Sequence, residues 1–310
     1  MEFVDDALRT HPELRPWLDG YRSATRLAGL TNINIAVEAP AGRFVLRLPG
    51  KGTEEYINRG NEKTAAEVAS GLGVNAPLHY FDGKSGLQLS GFLEGAVTMS
   101  AERFRDRGAI ARAAASLRRV HRSGESFASR FELFAMIDDY LELLDSKHVE
   151  LPEGFREGLA EAESVRRALA ARPVPSVPCH CDPLAENFLD TGERMFVVDW
   201  EYAGNNDPMW DLADVSVEAG FDDAQDDAIL QAYFEGGSVA PFDRGRMILY
   251  KAMCDLLWTL WGTIQHANGN PADDFHAYAL NRFARCRALM ARPVFGEALG
   301  WVGERYGLTL

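Results

Sequence analysis

The chain has 310 residues, 46% hydrophobic and 25% charged, with a formal net charge of −14. That is an ordinary globular composition, long enough for two lobes with a substantial core. The acidic balance argues against a nucleic-acid partner, which needs a basic face, and no window approaches the roughly 18–20 apolar residues of a membrane span. The first residues, MEFVDDALRTHPELRPW, carry no basic segment followed by an apolar run, so no signal peptide is expected and the cytoplasm is the expected compartment. Cys179, Cys181, Cys254 and Cys286 show no CxxC spacing, and the two in Cys179-x-Cys181 would point to opposite sides of an extended segment. Reduced thiols, and no zinc, are expected.

Residues 3–28 read as one or two short amphipathic helices interrupted by Pro12 and Pro16. A glycine turn at Gly29 then enters an alternating strand, and Arg43 to Pro49 reads as its hairpin partner across a turn at residues 39–42. Such a turn over two antiparallel strands can lay backbone N–H groups and small polar side chains over phosphates, which singles out Thr31, Asn32 and Asn34. Arg47 stands on the second strand, where a kinase places its phosphate-gripping lysine. Arginine stays charged and forks onto phosphate, whereas lysine is a point charge. Residues 58–71 form a helix whose Glu62 is the natural partner of Arg47, with Glu67 as the rival. Two further strands follow, at 75–81 and 86–95. The second ends at glycines, and its backbone near Gly91 and Leu93 would meet an adenine at a hinge between lobes. The boundary is drawn at about residues 94–98, giving an N-terminal nucleotide-binding lobe (1–94) and a C-terminal catalytic and substrate-binding lobe (95–310).

From Ser100 the chain turns helical, with helices at 101–122, 131–146 and 154–171, and later at about 224–235, 241–266 and 273–291. Between these groups lies the stretch CHCDPLAENFLDTGERMFVVDWEYAGNNDPMWD. Asp182 follows His180, Asn187 comes five residues later, and a hairpin returns an apolar strand that delivers Asp199, Trp200 and Glu201. Phosphoryl transfer from ATP to a hydroxyl needs this pattern: one Asp to accept the proton, and an Asn and a second Asp to hold Mg²⁺. Asp182 is therefore the candidate catalytic residue, and Asn187 and Asp199 the candidate metal ligands. His180 is expected to orient the loop, His121 to be a packed or capping residue, and Asp211 to cap the next helix or brace the loop.

The HCDPLAENFL and VVDWEYAGNNDPMWDLA segments, with the FVLRLPG strand, resemble the choline/ethanolamine kinase family, allied to the aminoglycoside phosphotransferases and more distantly to protein kinases. The resemblance runs from Gly29 to about Phe283. It implies an α+β, two-lobed protein kinase-like fold, with an antiparallel sheet in the N-terminal lobe and a larger helical C-terminal lobe. It also implies ATP and Mg²⁺ as cofactors and a small alcohol as acceptor. Arg47 in place of lysine, and a turn with a single glycine, depart from the protein kinase pattern.

A trimethylammonium group donates no strong hydrogen bond, so its recognition calls for aromatic faces and a diffuse negative charge. Trp258 and Trp261 share a helix face at i and i+3, Tyr278 lies on the next helix, Tyr202 follows Glu201, and Glu218 lies after Asp211. In the family the resemblance names, these positions form the acceptor cage, which points to choline. Aromatic residues at that helical spacing also pack cores, and Phe275 and Trp210 are read as packing residues. Ethanolamine or another amino alcohol, an aminoglycoside, or a non-catalytic binding role on the same fold are the alternatives.

Overall fold

The computed structural model describes residues 1–27, 32–50 and 57–303. The N-terminal part is a five-stranded antiparallel sheet of order β1-β2-β3-β5-β4. Its strands are β1 (Ser23–Arg26), β2 (Ile33–Ala39), β3 (Gly42–Leu48), β4 (Leu78–Phe81) and β5 (Gln88–Gly91). β2 and β3 pair from Ile33↔Leu48 to Ala39↔Gly42, the hairpin that the alternation predicts. Strand periodicity then decides the faces. Phe44 and Leu46 point into a small core with Ile35, Val37, Leu89 and the N-terminal Val4, Leu14 and Leu18. Arg47, one residue on, faces the other way.

That other face receives α3 (Arg59–Gly71), whose N-cap Asn58 accepts from the N–H groups of Gly60 and Asn61, both at 3.1 Å. The cap satisfies two of the orphan donors of a helix start. Ala65, Ala66 and Ala69 of α3, with Val74 and Phe81, belong to the larger core, which continues through the helical part.

The helical part contains α4 (Arg107–His121), α5 (Leu133–Ser146), α6 (Phe155–Ala171), α7 (Pro208–Glu218), α8 (Asp223–Tyr233), α9 (Pro241–Ala267), α10 (Phe275–Met290) and α11 (Pro293–Gly303). α9 is central. α7, α10 and α11 pack on it, and every residue from Gly245 to Leu260 except Ile248 and Lys251 is buried. Two small sheets carry the polar motif. β7 (Val177–Cys179) pairs with β10 (Gly204–Asn206), and β6 (Val97–Thr98), β8 (Phe188–Asp190) and β9 (Met195–Val197) form the other. No helix among the described residues is long and apolar enough to cross a membrane.

Several local expectations change. The segment read as helical to residue 28 holds α1 (Glu2–Thr10), a 3₁₀ turn and α2 (Arg15–Leu18), and then becomes the edge strand β1. Its four residues are too few for alternation to register, and pairing with β2 is what fixes them. The helix read at 101–122 is broken at Asp106, whose carboxylate caps α4 by accepting from Gly108 and Ala109 N–H. The cap of α7 is Asp207, which accepts from Met209 N–H at 2.9 Å. Asp211 therefore does not cap that helix. It braces the loop instead. Gly29 and Thr31 lie outside the described residues.

Candidate active site

The loop after β7 is held from beneath. Asp211 is fully buried on the first turns of α7 and accepts from the backbone N–H of His180 (2.8 Å) and of Cys181 (2.9 Å). His121 Nε2 meets the same carboxylate at 2.9 Å, and its Nδ1 meets the Tyr233 hydroxyl at 3.0 Å. Cys181 adopts φ 68°, a left-handed conformation that a non-glycine residue holds only when its surroundings impose it. Trp210 Nε1 adds a bond to Cys181 O at 3.0 Å. His180 Nε2 lies 2.9 Å from Val198 O, and its Nδ1 faces Asp182 N–H at 3.4 Å. Those partners require a neutral imidazole protonated on Nε2. Burial pushes the imidazole pKa below its usual value, in agreement.

Asn187 closes a single 3₁₀ turn (Ala185–Asn187) and donates from Nδ2 to Asp182 O at 3.1 Å. The β8–β9 hairpin pairs Phe188 with Val197, and Val198 N–H continues the pairing onto Asn187 O at 2.9 Å. Asn187 and Asp199 therefore emerge at the same end of one hairpin. Asp199 has φ 67°, a second left-handed non-glycine residue.

Arg47 reaches this end from β3. It pairs with Glu62 of α3, with Asp199 Oδ1 at 2.7 Å and with Glu201 Oε2 at 2.8 Å. The helix carboxylate is thus Glu62, while Glu67 lies on the exposed side near Lys63. Burial opposes the charge on Arg47, but Asp199, Glu62 and Glu201 outweigh it and hold the guanidinium firmly protonated. Arg59 adds a bond to the second Glu62 oxygen at 2.6 Å and lies 3.5 Å from Glu201. Gly86 makes room for it, since a Cβ there would stand 2.6 Å from Arg59 Cδ.

Desolvation, then the Asp199 charge, pushes Glu201 up to about 7 against the pull of Arg47. Glu62, Asp199 and Glu201 each place an oxygen within 4.8 Å of the others. An all-oxygen set with net negative charge is the donor chemistry that Mg²⁺ takes, and Asn187 adds an amide oxygen to the same end. These residues fit the ion.

Asn32, expected over the phosphates, is buried against this cluster. Its Nδ2 lies 3.4 Å from both Asp199 and Glu201, and its Oδ1 accepts from Gly50 N–H at 3.1 Å. Asn34 sits half-buried on β2, directly across from Arg47. At the strand end, Gly91 N–H is spent on Pro77 O at 2.8 Å and Phe92 N–H on Arg43 O at 3.0 Å, so neither is available to a ligand. Leu93 O accepts from Ala96 N–H at 3.3 Å.

On the other side of Asp182 the aromatic residues form one edge-to-face chain. Tyr202 meets Trp258 at 5.6 Å between ring centres, Trp258 meets Trp261 at 6.2 Å, and Trp261 meets Tyr278 at 5.8 Å. Phe275 packs on Trp261 at 5.4 Å, and Trp210 is fully buried in the core. Gly262 lets α10 come this close, because a Cβ there would stand 2.6 Å from Tyr278 Cδ1. The Nε1 groups of Trp258 and Trp261 are buried and have no acceptor among the described residues. Glu218 is not a free carboxylate. Both of its oxygens are taken by Arg282, Oε2 at 2.7 Å.

Asp182 feels charges from both groups. Desolvation raises its pKa well above the usual carboxylate value, and the Glu218, Asp199 and Glu201 charges add to that. Glu201, Arg59 and Arg282 carry no role in the sequence-based reading. Glu201 could have been found only as a carboxylate two residues beyond Asp199, and Arg282 from its position one turn after Tyr278 on the same helix face.

A sheet-bearing lobe joined to a helical lobe, with this loop and hairpin at their junction, defines a kinase-like phosphotransferase. The model of the phosphotransferase enzyme family APH matches residues 23–250. A choline/ethanolamine kinase family protein from Mesorhizobium loti is 51% identical, with a TM-score of 0.87 over 97% of this chain and 98% of that one. The choline kinase LicA from Streptococcus pneumoniae is 26% identical, with a TM-score of 0.79 over 94% of this chain and 99% of that one. Protein LicA of Haemophilus influenzae is 29% identical over 83% of this chain and 76% of its own length. The chain belongs to the choline/ethanolamine kinase family, within the wider phosphotransferase enzyme family. It is an ATP-dependent phosphotransferase with an alcohol group as acceptor.

Proposed function

We propose that the protein transfers the ATP γ-phosphoryl group to the hydroxyl of choline, giving phosphocholine. The observation that carries this reading is the edge-to-face chain of Tyr202, Trp258, Trp261 and Tyr278, whose neighbourhood Asp182 shares. An acceptor held against Trp258, Trp261, Tyr278 and Tyr202 would present its hydroxyl to Asp182, with the donor phosphate on the Asp199 side. The relatives named as choline kinases support the same acceptor.

Asp182 aims the hydroxyl oxygen and accepts its proton, a role suited to a carboxylate whose proton affinity is raised by its neighbours. His180 and Asp211 fix the backbone on which it stands. Arg47, held by Glu62, Asp199 and Glu201, brings a fixed positive charge to the donor side of the site. Asn187 and Asp199, with Glu201 beside them, would hold Mg²⁺, which when bound neutralises charge on the phosphates being transferred. Residues 1–94 supply the nucleotide side and residues 95–310 the catalytic and acceptor side. Catalysis is then mainly positioning and charge neutralisation.

The test is ADP release measured over choline, ethanolamine and an aminoglycoside panel, in the wild type and in Trp258→Ala. Choline turnover that falls at least about tenfold in the variant, through a higher KM, supports the reading, since a desolvated cation–π contact is worth about 2 kcal/mol. Turnover of an aminoglycoside alone, unaffected by Trp258→Ala, would replace it with an antibiotic-type kinase.

A further inference from the structure

Arg282 has no role in this mechanism, and it is buried at the acceptor end of the site, 5% exposed. Its two terminal nitrogens close both oxygens of Glu218, and Nη1 also lies 3.2 Å from Asp255 Oδ1. Its guanidinium carbon stands 4.8 Å from the centre of the Tyr278 ring. Asp255 is in turn held by Arg285, whose Nε lies 3.1 Å from Oδ2. Glu218 and Asp255 are thus paired with the two guanidinium groups of Arg282 and Arg285. Asp214, also buried, faces Glu218 with Cys254 bonded to one of its oxygens at 3.0 Å.

This arrangement separates two ways of recognising an amine. A primary ammonium is held best by carboxylate oxygens that accept its N–H bonds, while a quaternary ammonium has no N–H and is held by aromatic faces. Glu218 is joined to Tyr278 of the aromatic chain through Arg282, which has already taken both of its oxygens. We infer that Arg282 is a specificity-determining residue, which favours a quaternary over a primary amine by occupying Glu218 and leaving the aromatic faces as the main contact. Arg282 acts through Glu218 and Tyr278 and is a positioning residue. The inference rests on the reading of these aromatic residues as the amino-alcohol pocket.

The experiment compares kcat/KM for choline and for ethanolamine in the wild type, Arg282→Gln and Arg282→Lys. A hydrogen bond to a charged group contributes about 1.5–3 kcal/mol, or roughly 10- to 100-fold. Freeing Glu218 should therefore raise the ethanolamine-to-choline ratio at least about tenfold in Arg282→Gln, through a lower KM for ethanolamine. Arg282→Lys keeps the charge but loses the fork, and should give an intermediate ratio. It also answers the question if the glutamine variant does not fold. Equal losses for both acceptors, with the ratio unchanged, would overturn the inference and make Arg282 a purely structural residue. Wild-type turnover of neither amine would instead remove the acceptor reading beneath it.

Discussion

The guanidinium of Arg47 donates to the Asp199 carboxylate at 2.7 Å, so the residue proposed for the donor phosphates also compensates a proposed metal ligand. With Glu62 and Glu201 on the same guanidinium, Arg47 contacts three carboxylates, of which Arg59 shares Glu62 and Glu201 while Asp199 relies on Arg47. Removing one partner of a buried ion pair costs about 3–5 kcal/mol, because the remaining charges are left uncompensated. Arg47→Met should lower the melting temperature by several degrees. Part of that loss should return with MgCl₂ relative to NaCl at equal ionic strength, since a divalent ion can take the place of the lost cation among the same oxygens. Equal melting curves in the two salts would show that the carboxylates do not form a divalent site.

Asp182 is the opposite case, a carboxylate whose ionised form is disfavoured by burial and by Glu218, Asp199 and Glu201. Asp182→Asn keeps the shape and removes the repelling charge. Transfer should fall by at least about 10²-fold, the usual contribution of a positioned base, while the melting temperature stays level or rises. Residual turnover near the wild-type rate would remove Asp182 from the mechanism. A large loss of stability would mean that its charge has a favourable partner.

The parts of the site legible in the sequence are those that one local segment sets. The hairpin that joins Asn187 to Asp199 is built from contiguous residues, and so is the strand that carries Arg47. The helical spacing of Trp258 and Trp261 equally predicts that they touch. Contacts between distant segments leave no such trace. Arg282 meets Glu218 across 64 residues, and nothing in either neighbourhood announces the pair. Asn32 illustrates the same limit, since its polar side chain reads as a phosphate donor until Asp199 and Glu201 are brought against it. The edge strand β1 leaves no pattern of its own because β2 supplies its order.

His180 links stability to pH. Its imidazole is buried and neutral in the fold, with a pKa below the unfolded value of about 6.5. Between those two values the unfolded chain binds the proton and the folded chain does not, so the contribution is fully present above about pH 6.5 and is lost as pH falls below it. Urea midpoints measured from pH 7.5 down to 5 should decline more steeply for the wild type than for His180→Gln, which cannot titrate. Parallel profiles would show that His180 does not carry this linkage.

Asp211 is the residue on which the catalytic loop rests, and its replacement should destabilise the fold more than that of Asp182 or His180. It accepts from His180 N–H, Cys181 N–H and His121 Nε2 with no exposed surface. Asp211→Ala leaves two backbone donors and an imidazole buried without an acceptor, each at about 1–3 kcal/mol. It also removes what holds Cys181 in its left-handed conformation. Asp211→Asn retains one acceptor oxygen and should lose less. The alanine variant should therefore be destabilised by at least about 3 kcal/mol in urea, and the asparagine variant by roughly half of that. In the asparagine variant kcat should fall more than the KM for either substrate changes, because the loop that aims Asp182 shifts while both binding surfaces stand on other elements. A change confined to KM would mean that Asp211 supports the binding surfaces, with the catalytic loop held by other contacts.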